Sequence, residues 1–156
     1  MKPSGDAVQD LPELELELPP KPEFVGTARH AVTALIRLRE LPDDLVQDVK
    51  LAVSEACTTA IADGPGDGQP IRVRAWADAE RVVVEVFDPG TGVERAVQGP
   101  PSEIDTDELP FNKVLSLPII RGLVDEVAIT PLEGSGMSLR MVLSAARQDS
   151  NGRVDA

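Results

Sequence analysis

The chain has 156 residues, 42% of them hydrophobic, which suits a single domain with a folded core. Its 27 Asp and Glu outnumber its 15 Lys and Arg, which gives a formal net charge of -12. This charge argues against nucleic acid or an anionic membrane surface as a direct partner, and it favours a partner with a basic surface. The single cysteine, Cys57, excludes an internal disulfide, and the absence of a signal-peptide core or an apolar run of about 18 residues predicts a cytoplasmic protein.

The first half of the chain predicts one strand followed by two helices. Glutamate and leucine alternate over residues 13–18, which is the period of a strand with one apolar and one acidic face and suits an edge position. Apolar residues recur at helical spacing over 22–36, where Pro22 suits a first helical turn. A second helix begins at residues 41–44, because proline and acids suit a helix N-terminus, and it ends near residue 63.

The second half predicts a hairpin of two strands over residues 71–76 and 81–87, followed by a long loop over 93–112. A helix interrupted by Pro118 follows over 114–124, and two further strands over 127–130 and 138–143. A structureless loop as long as 93–112 is uncommon inside a compact domain and often forms a lid or a binding loop.

This order of elements predicts an α/β (α+β) fold, a two-layer sandwich in which three helices cover one face of a mostly antiparallel mixed sheet. Residues 12–147 would form the domain. Residues 1–11 would be a flexible N-terminal tail and residues 148–156 a C-terminal tail, because both are polar.

The second helix carries one acidic residue in a small, apolar run. Ala52, Glu55 and Thr59 are spaced to lie on one face, since residues three and four apart are helix neighbours. A carboxylate and a hydroxyl facing a core would need partners, so this face either lines a pocket or is the solvated edge of an amphipathic helix. Cys57, beside it, is interpreted as a small core residue.

Two glycine segments border predicted strands. In the run from Asp88 to Gly92, an Asp-x-Gly-x-Gly pattern follows a strand; its carboxylate could accept a hydrogen bond from an amino group such as that of adenine, and Gly90 and Gly92 would let a ligand approach the backbone. Asp-Pro-Gly is equally a plain turn. Gly134-Ser135-Gly136 precedes the last strand.

Linked motifs in this order resemble the bacterial anti-sigma factor serine kinases, which have the GHKL (Bergerat) ATPase fold. The motifs are Leu-Ala-Val-Ser-Glu-Ala at 51–56, the segment 119–127 and the helix opening at 41–44. The resemblance covers roughly residues 12–147. It implies a protein that keeps a sigma factor from RNA polymerase, binds a STAS-type antagonist and, in many members, phosphorylates that antagonist with ATP and Mg²⁺.

The resemblance also implies roles for individual residues. Glu55 would be the general base that activates the acceptor hydroxyl, and Asp88 would bind the adenine amino group. The glycines of the two segments would shape the nucleotide pocket, namely Gly90, Gly92, Gly134 and Gly136.

The sequence departs from the family at two positions that hold the triphosphate. Thr59 stands where the family has an asparagine that binds Mg²⁺, and a neutral hydroxyl is a modest ligand. The segment 113–118 lacks the glycines whose amides would cradle phosphates, although Lys113 could compensate as a point charge. We therefore expect ATP and Mg²⁺ binding to be weak or absent.

Three hypotheses follow. In the first, the protein is an anti-sigma factor that works by occlusion, with its contact surface around the first helix at Arg29, Arg37 and Arg39. In the second, it is an active serine/threonine kinase of a STAS-domain antagonist. In the third, it is a detached histidine-kinase catalytic domain. The family often forms homodimers, and we extend that expectation to this chain.

Overall fold

In the computed structural model, residues 11–63, 68–88, 111–132 and 136–145 are described, except for the side chains of Asp63 and of 111–114. Strands and helices follow one another as β1 (Leu14–Leu18), α1 (Val25–Leu38), α2 (Asp43–Asp63), β2 (Ile71–Ala77), β3 (Arg81–Asp88), α3 (Phe111–Leu123), β4 (Glu126–Pro131) and β5 (Met137–Ser144), with a 3₁₀ turn at Pro22–Phe24 before α1. The described strands form one sheet in the order β1-β2-β3-β5-β4.

All four strand pairings are antiparallel, so the expected mostly antiparallel, two-layer fold is confirmed. Strand β1 occupies the predicted edge. The core lies between the helices and one face of the sheet, where alternate residues of the central strands are buried, such as Val82, Val84 and Val86 of β3. Within the part of the chain that the structure describes, no helix combines the length and hydropathy that a membrane span requires.

Helix α2 lies in the middle of the helical layer. It packs against α1 on one side and α3 on the other, and it contacts the sheet most extensively at β3. The small side chains of Ala52, Ala56 and Ala60 are buried, which lets the helix approach the strands closely. The position of α2 therefore decides which of its polar residues face the interior.

Helix α3 differs from its prediction. It begins at Phe111, inside the segment assigned to the loop, and it continues through Pro118 instead of being interrupted there. Proline lacks the N–H that would bond the carbonyl four residues earlier, so one backbone hydrogen bond is lost. Burial of Leu117 and Ile120 on either side of that gap keeps the helix continuous.

The sheet face opposite the helices carries paired charges. Arg74 Nε donates to Glu15 at 2.7 Å. Arg74 is also the cross-strand neighbour of Glu85 on β3. Glu85 in turn is opposite Arg140 on β5. Burial raises the pKa of Glu85, and the charges of Arg140 and Arg74 offset part of that rise. The guanidinium of Arg74 also lies 5.1 Å from the ring centroid of Phe87.

A three-residue clamp joins the end of α1 to the sheet. Glu13 forms an ion pair with Arg39 Nη2, while the backbone N–H of Ala77 donates to Glu13 Oε1 at 2.8 Å. Arg39 Nε donates to the carbonyl of Ala77 at 3.0 Å. The carboxylate thus satisfies both a helix-end arginine and a backbone N–H at the end of β2.

Replacing Glu13 by alanine should lower the free energy of unfolding by about 1–2 kcal/mol, because the change leaves the Ala77 N–H and Arg39 Nη2 without their acceptor. Urea denaturation of purified chain measures this change. Glu17→Ala is the matched control, since Glu17 lies 3.6 Å from Arg72 in an exposed pair and should cost about 0.5 kcal/mol or less. Equal losses in both variants would contradict the clamp.

Candidate functional site

The two candidate polar residues of helix α2 line different pockets. Thr59 is buried and lines a small cavity between α2, α3 and the sheet. Glu55 is half-buried and lines a separate groove on the solvent side of α2 and α3. The predicted shared face is thus divided between two pockets, and both of them border the contact of α2 with α3.

The inner cavity brings Thr59 together with Asp88. Strand alternation places Asp88, like Val86 before it, on the helix side of β3, where it is 6% exposed. The remaining wall is mainly apolar, and the full lining is Ala56, Thr59, Ala60, Val86, Asp88, Ser116, Leu117, Ile129 and Leu139. The cavity volume is about 10 Å³, which is roughly the space of one water molecule.

Ser116 is a third polar residue of this cavity, and the sequence analysis did not single it out. It is 5% exposed and lies on α3. Helical periodicity carries the signal that could have found it, because Ser116 shares a face with the buried residues Ile120 and Val124. A hydroxyl at that position of an apolar face requires a polar neighbour.

The other predicted site residues are placed only in part. Gly90, Gly92 and Gly134 lie outside the described residues, and so does the side chain of Lys113, whose backbone belongs to the first turn of α3. Gly136 has a φ of 98°, a conformation that favours glycine, and its carbonyl accepts a 2.9 Å hydrogen bond from the N–H of Leu132. In the described structure Gly136 therefore closes the turn between β4 and β5.

The described donors around the cavity are fewer than the six oxygens that a magnesium ion takes. In nucleotide sites Mg²⁺ is usually held by one or two carboxylates together with phosphates and waters. The cavity offers the carboxylate of Asp88 with the neutral hydroxyls of Thr59 and Ser116, while Glu55 faces the outer groove. Among the described residues no group of three His, Cys, Asp or Glu could hold a metal ion.

The same cavity fits a nucleobase in chemistry but not in size. Asp88 is an acceptor suited to an amino group, and apolar side chains such as Val86 and Leu139 suit the faces of a base. A space of about 10 Å³ is nevertheless far too small for a purine. The described residues would have to separate before a nucleotide entered between them.

Cys57 is fully buried, as the sequence analysis expected of a core residue. Burial raises the pKa of its thiol from about 9 to about 12. The thiolate is the reactive form, so burial lowers the reactivity of this cysteine in the folded chain.

Comparisons with known proteins place this geometry in a family. The family model for the histidine kinase-like ATPase domain matches residues 18–143. The serine-protein kinase RsbW of Bacillus licheniformis is 29% identical over 150 residues, covering 90% of this chain and 92% of the relative. RsbW of Bacillus subtilis strain 168 is 26% identical over 142 residues, covering 87% and 89%.

A crystal structure of the RsbU and RsbW domains of Rv1364c from Mycobacterium tuberculosis resembles this chain with a TM-score of 0.61 and 18% identity. The similarity covers 83% of this chain but 31% of that longer one. At this identity the likeness shows a shared fold.

Native chain at pH 8 should not react with a thiol reagent on the minutes scale, because a pKa of about 12 leaves about one thiol in ten thousand ionised. Chain unfolded in urea should react with one equivalent, and absorbance of the released thiol measures both. The raised pKa also stabilises the folded chain. This contribution to the free energy of unfolding is complete below pH 9 and is lost as pH rises toward 12, because the thiol of the unfolded chain ionises first. Rapid native labelling would contradict the burial.

Proposed function

Because this chain belongs to the histidine kinase-like ATPase domain family, we propose that it is an anti-sigma factor with weakened or lost kinase activity. It would hold a sigma factor away from RNA polymerase until a STAS-type antagonist releases it. Its similarity over most of its length to serine-protein kinases named RsbW supports a role in the same kind of protein switch.

The observation that carries the loss of kinase activity is the composition of the inner cavity. Phosphoryl transfer depends on a metal ion, phosphate-binding groups and a base that meet at one place. Here the cavity with Thr59, Asp88 and Ser116 supplies one carboxylate, and Glu55 lies in another groove. Weakening of metal and phosphate contacts by a few kcal/mol reduces affinity or rate by about 10²-fold or more.

Charge supports a protein partner with a basic surface. A net charge of -12 would attract such a partner over long range and repel nucleic acid. The predicted contact surface on α1 is partly used within the chain, because Arg29 Nη1 donates to Ser54 Oγ at 3.0 Å and Arg39 binds Glu13 and Ala77. Homodimer formation and a cytoplasmic location stay predictions.

Tagged chain incubated in an extract of its native cells should capture a sigma factor in a stoichiometric amount, identified by mass spectrometry. Adding an excess of the STAS-domain protein of the same cells should release it. Heat-unfolded chain serves as the control for adhesion to the resin. Capture of a STAS-domain protein with no sigma factor would contradict sequestration and favour the kinase hypothesis.

The alternative function, an active serine/threonine kinase, is favoured by Glu55, a carboxylate that the structure leaves open to solvent and without a side-chain partner among the described residues. The third hypothesis, a histidine-kinase catalytic domain, would require a partner that carries an acid-labile phosphohistidine.

Incubation of the chain with labelled ATP, Mg²⁺ and the STAS-domain antagonist should transfer label at no more than about one hundredth of the rate of an intact kinase of the family, because the metal and phosphate groups are altered. Scintillation counting of the separated antagonist measures transfer. Efficient transfer that disappears in Glu55→Ala, but persists in the exposed control Glu23→Ala, would overturn the proposed loss of activity.

A further inference from the structure

A broad groove runs along the solvent side of α2 and α3. It is open to solvent with a volume of about 540 Å³, and its wall is mainly apolar, with the lining residues Leu51, Ser54, Glu55, Thr58, Pro118, Ile119, Gly122 and Leu123. Leu51 is 58% exposed and Ile119 is 53% exposed, although most large apolar side chains of the described residues are buried. Exposed apolar side chains gathered in one groove are typical of a protein-binding surface.

Small residues leave open space along the groove. A Cβ atom added at Gly122 would meet no atom within 4 Å, so the space above this glycine is open. Ser54 and Thr58 on the facing helix also have short side chains. A backbone or a bulky side chain of another protein can therefore come close to both helices.

The charged residue among those lining the groove is Glu55. Its carboxylate has no ion pair or hydrogen bond to another side chain among the residues that the structure describes. Covering such a carboxylate with an apolar partner would remove its water and cost free energy. A partner that places a cation opposite Glu55 removes that cost, and partners without one are rejected.

We propose that this groove docks an amphipathic helix of the sigma factor, with apolar side chains against Leu51 and Ile119 and a lysine or arginine opposite Glu55. This inference rests on the proposed function and moves its contact surface from α1 to the outer side of α2 and α3. A helix is the fitting occupant because a groove between two packed helices offers side chains and no free backbone edge. The net charge of -12 favours the approach of a basic segment.

A cysteine footprint tests the position of the partner. Thr58 is exposed in the groove, and Leu38 is 75% exposed at the end of α1, outside it. In Thr58→Cys and Leu38→Cys, a maleimide should label the new thiol alone, because Cys57 is buried. Saturating sigma factor should slow labelling of Thr58→Cys at least about tenfold and leave Leu38→Cys unchanged. Equal labelling rates at Thr58→Cys with and without the sigma factor would overturn the proposal.

Charge reversal tests the cation. Glu55→Lys should weaken the affinity for the sigma factor by about 10²-fold, since like charges would then face each other. Glu23→Lys changes the net charge equally at an exposed site before α1 and should change the affinity less than about threefold. Circular dichroism spectra and urea midpoints equal to those of the wild type exclude misfolding.

The outcomes separate the two proposals. If the wild-type chain forms no complex with any sigma factor, the proposed function and this inference both fall. If the complex forms and neither Thr58→Cys nor Glu55→Lys responds, the anti-sigma function stands and the groove is wrong. Protection of Thr58→Cys by the STAS-domain antagonist, without protection by the sigma factor, would also overturn the assignment of the groove.

Discussion

The packing of α2 between α1, α3 and the centre of the sheet is the constraint on which the rest of the structure depends. A buried stripe of small residues, including Ala52, Ala56 and Ala60, holds this helix close to the strands. Once that stripe is fixed, the helical period sends Thr59 inward and leaves Glu55 toward solvent. Both the inner cavity and the outer groove follow from this orientation together with the packing of α3 against α2.

The polar content of the inner cavity follows the same constraint. A cavity of about 10 Å³ can hold neutral hydroxyls at modest cost, whereas several unpaired carboxylates in it would be expensive. The cavity accordingly combines the two hydroxyls of Thr59 and Ser116 with one carboxylate, that of Asp88.

Local sequence patterns predicted most of the fold. Alternation in β1 and β2, and the valine-rich sequence of β3, placed those strands within about one residue. The proline and acids at 41–44 likewise predicted the start of α2, because acidic residues are stabilised at a helix N-terminus. Tertiary contacts decided the rest. The continuity of α3 through Pro118 and the separation of Glu55 from Thr59 both depend on how α3 packs against α2, which no local pattern contains.

The open sheet face and the outer groove differ in whether their charged side chains are already paired within the chain. On the open sheet face, Glu15 pairs with Arg74 and Glu85 lies 3.9 Å from Arg140, while Trp76 covers neighbouring valines. A partner there would have to break existing ion pairs and would gain little selectivity. In the outer groove, the carboxylate of Glu55 has no such internal partner among the described residues. A binding surface is specific when a wrong partner fails to make one of its interactions. In the groove, a partner with a cation opposite Glu55 is therefore distinguished from partners that lack one.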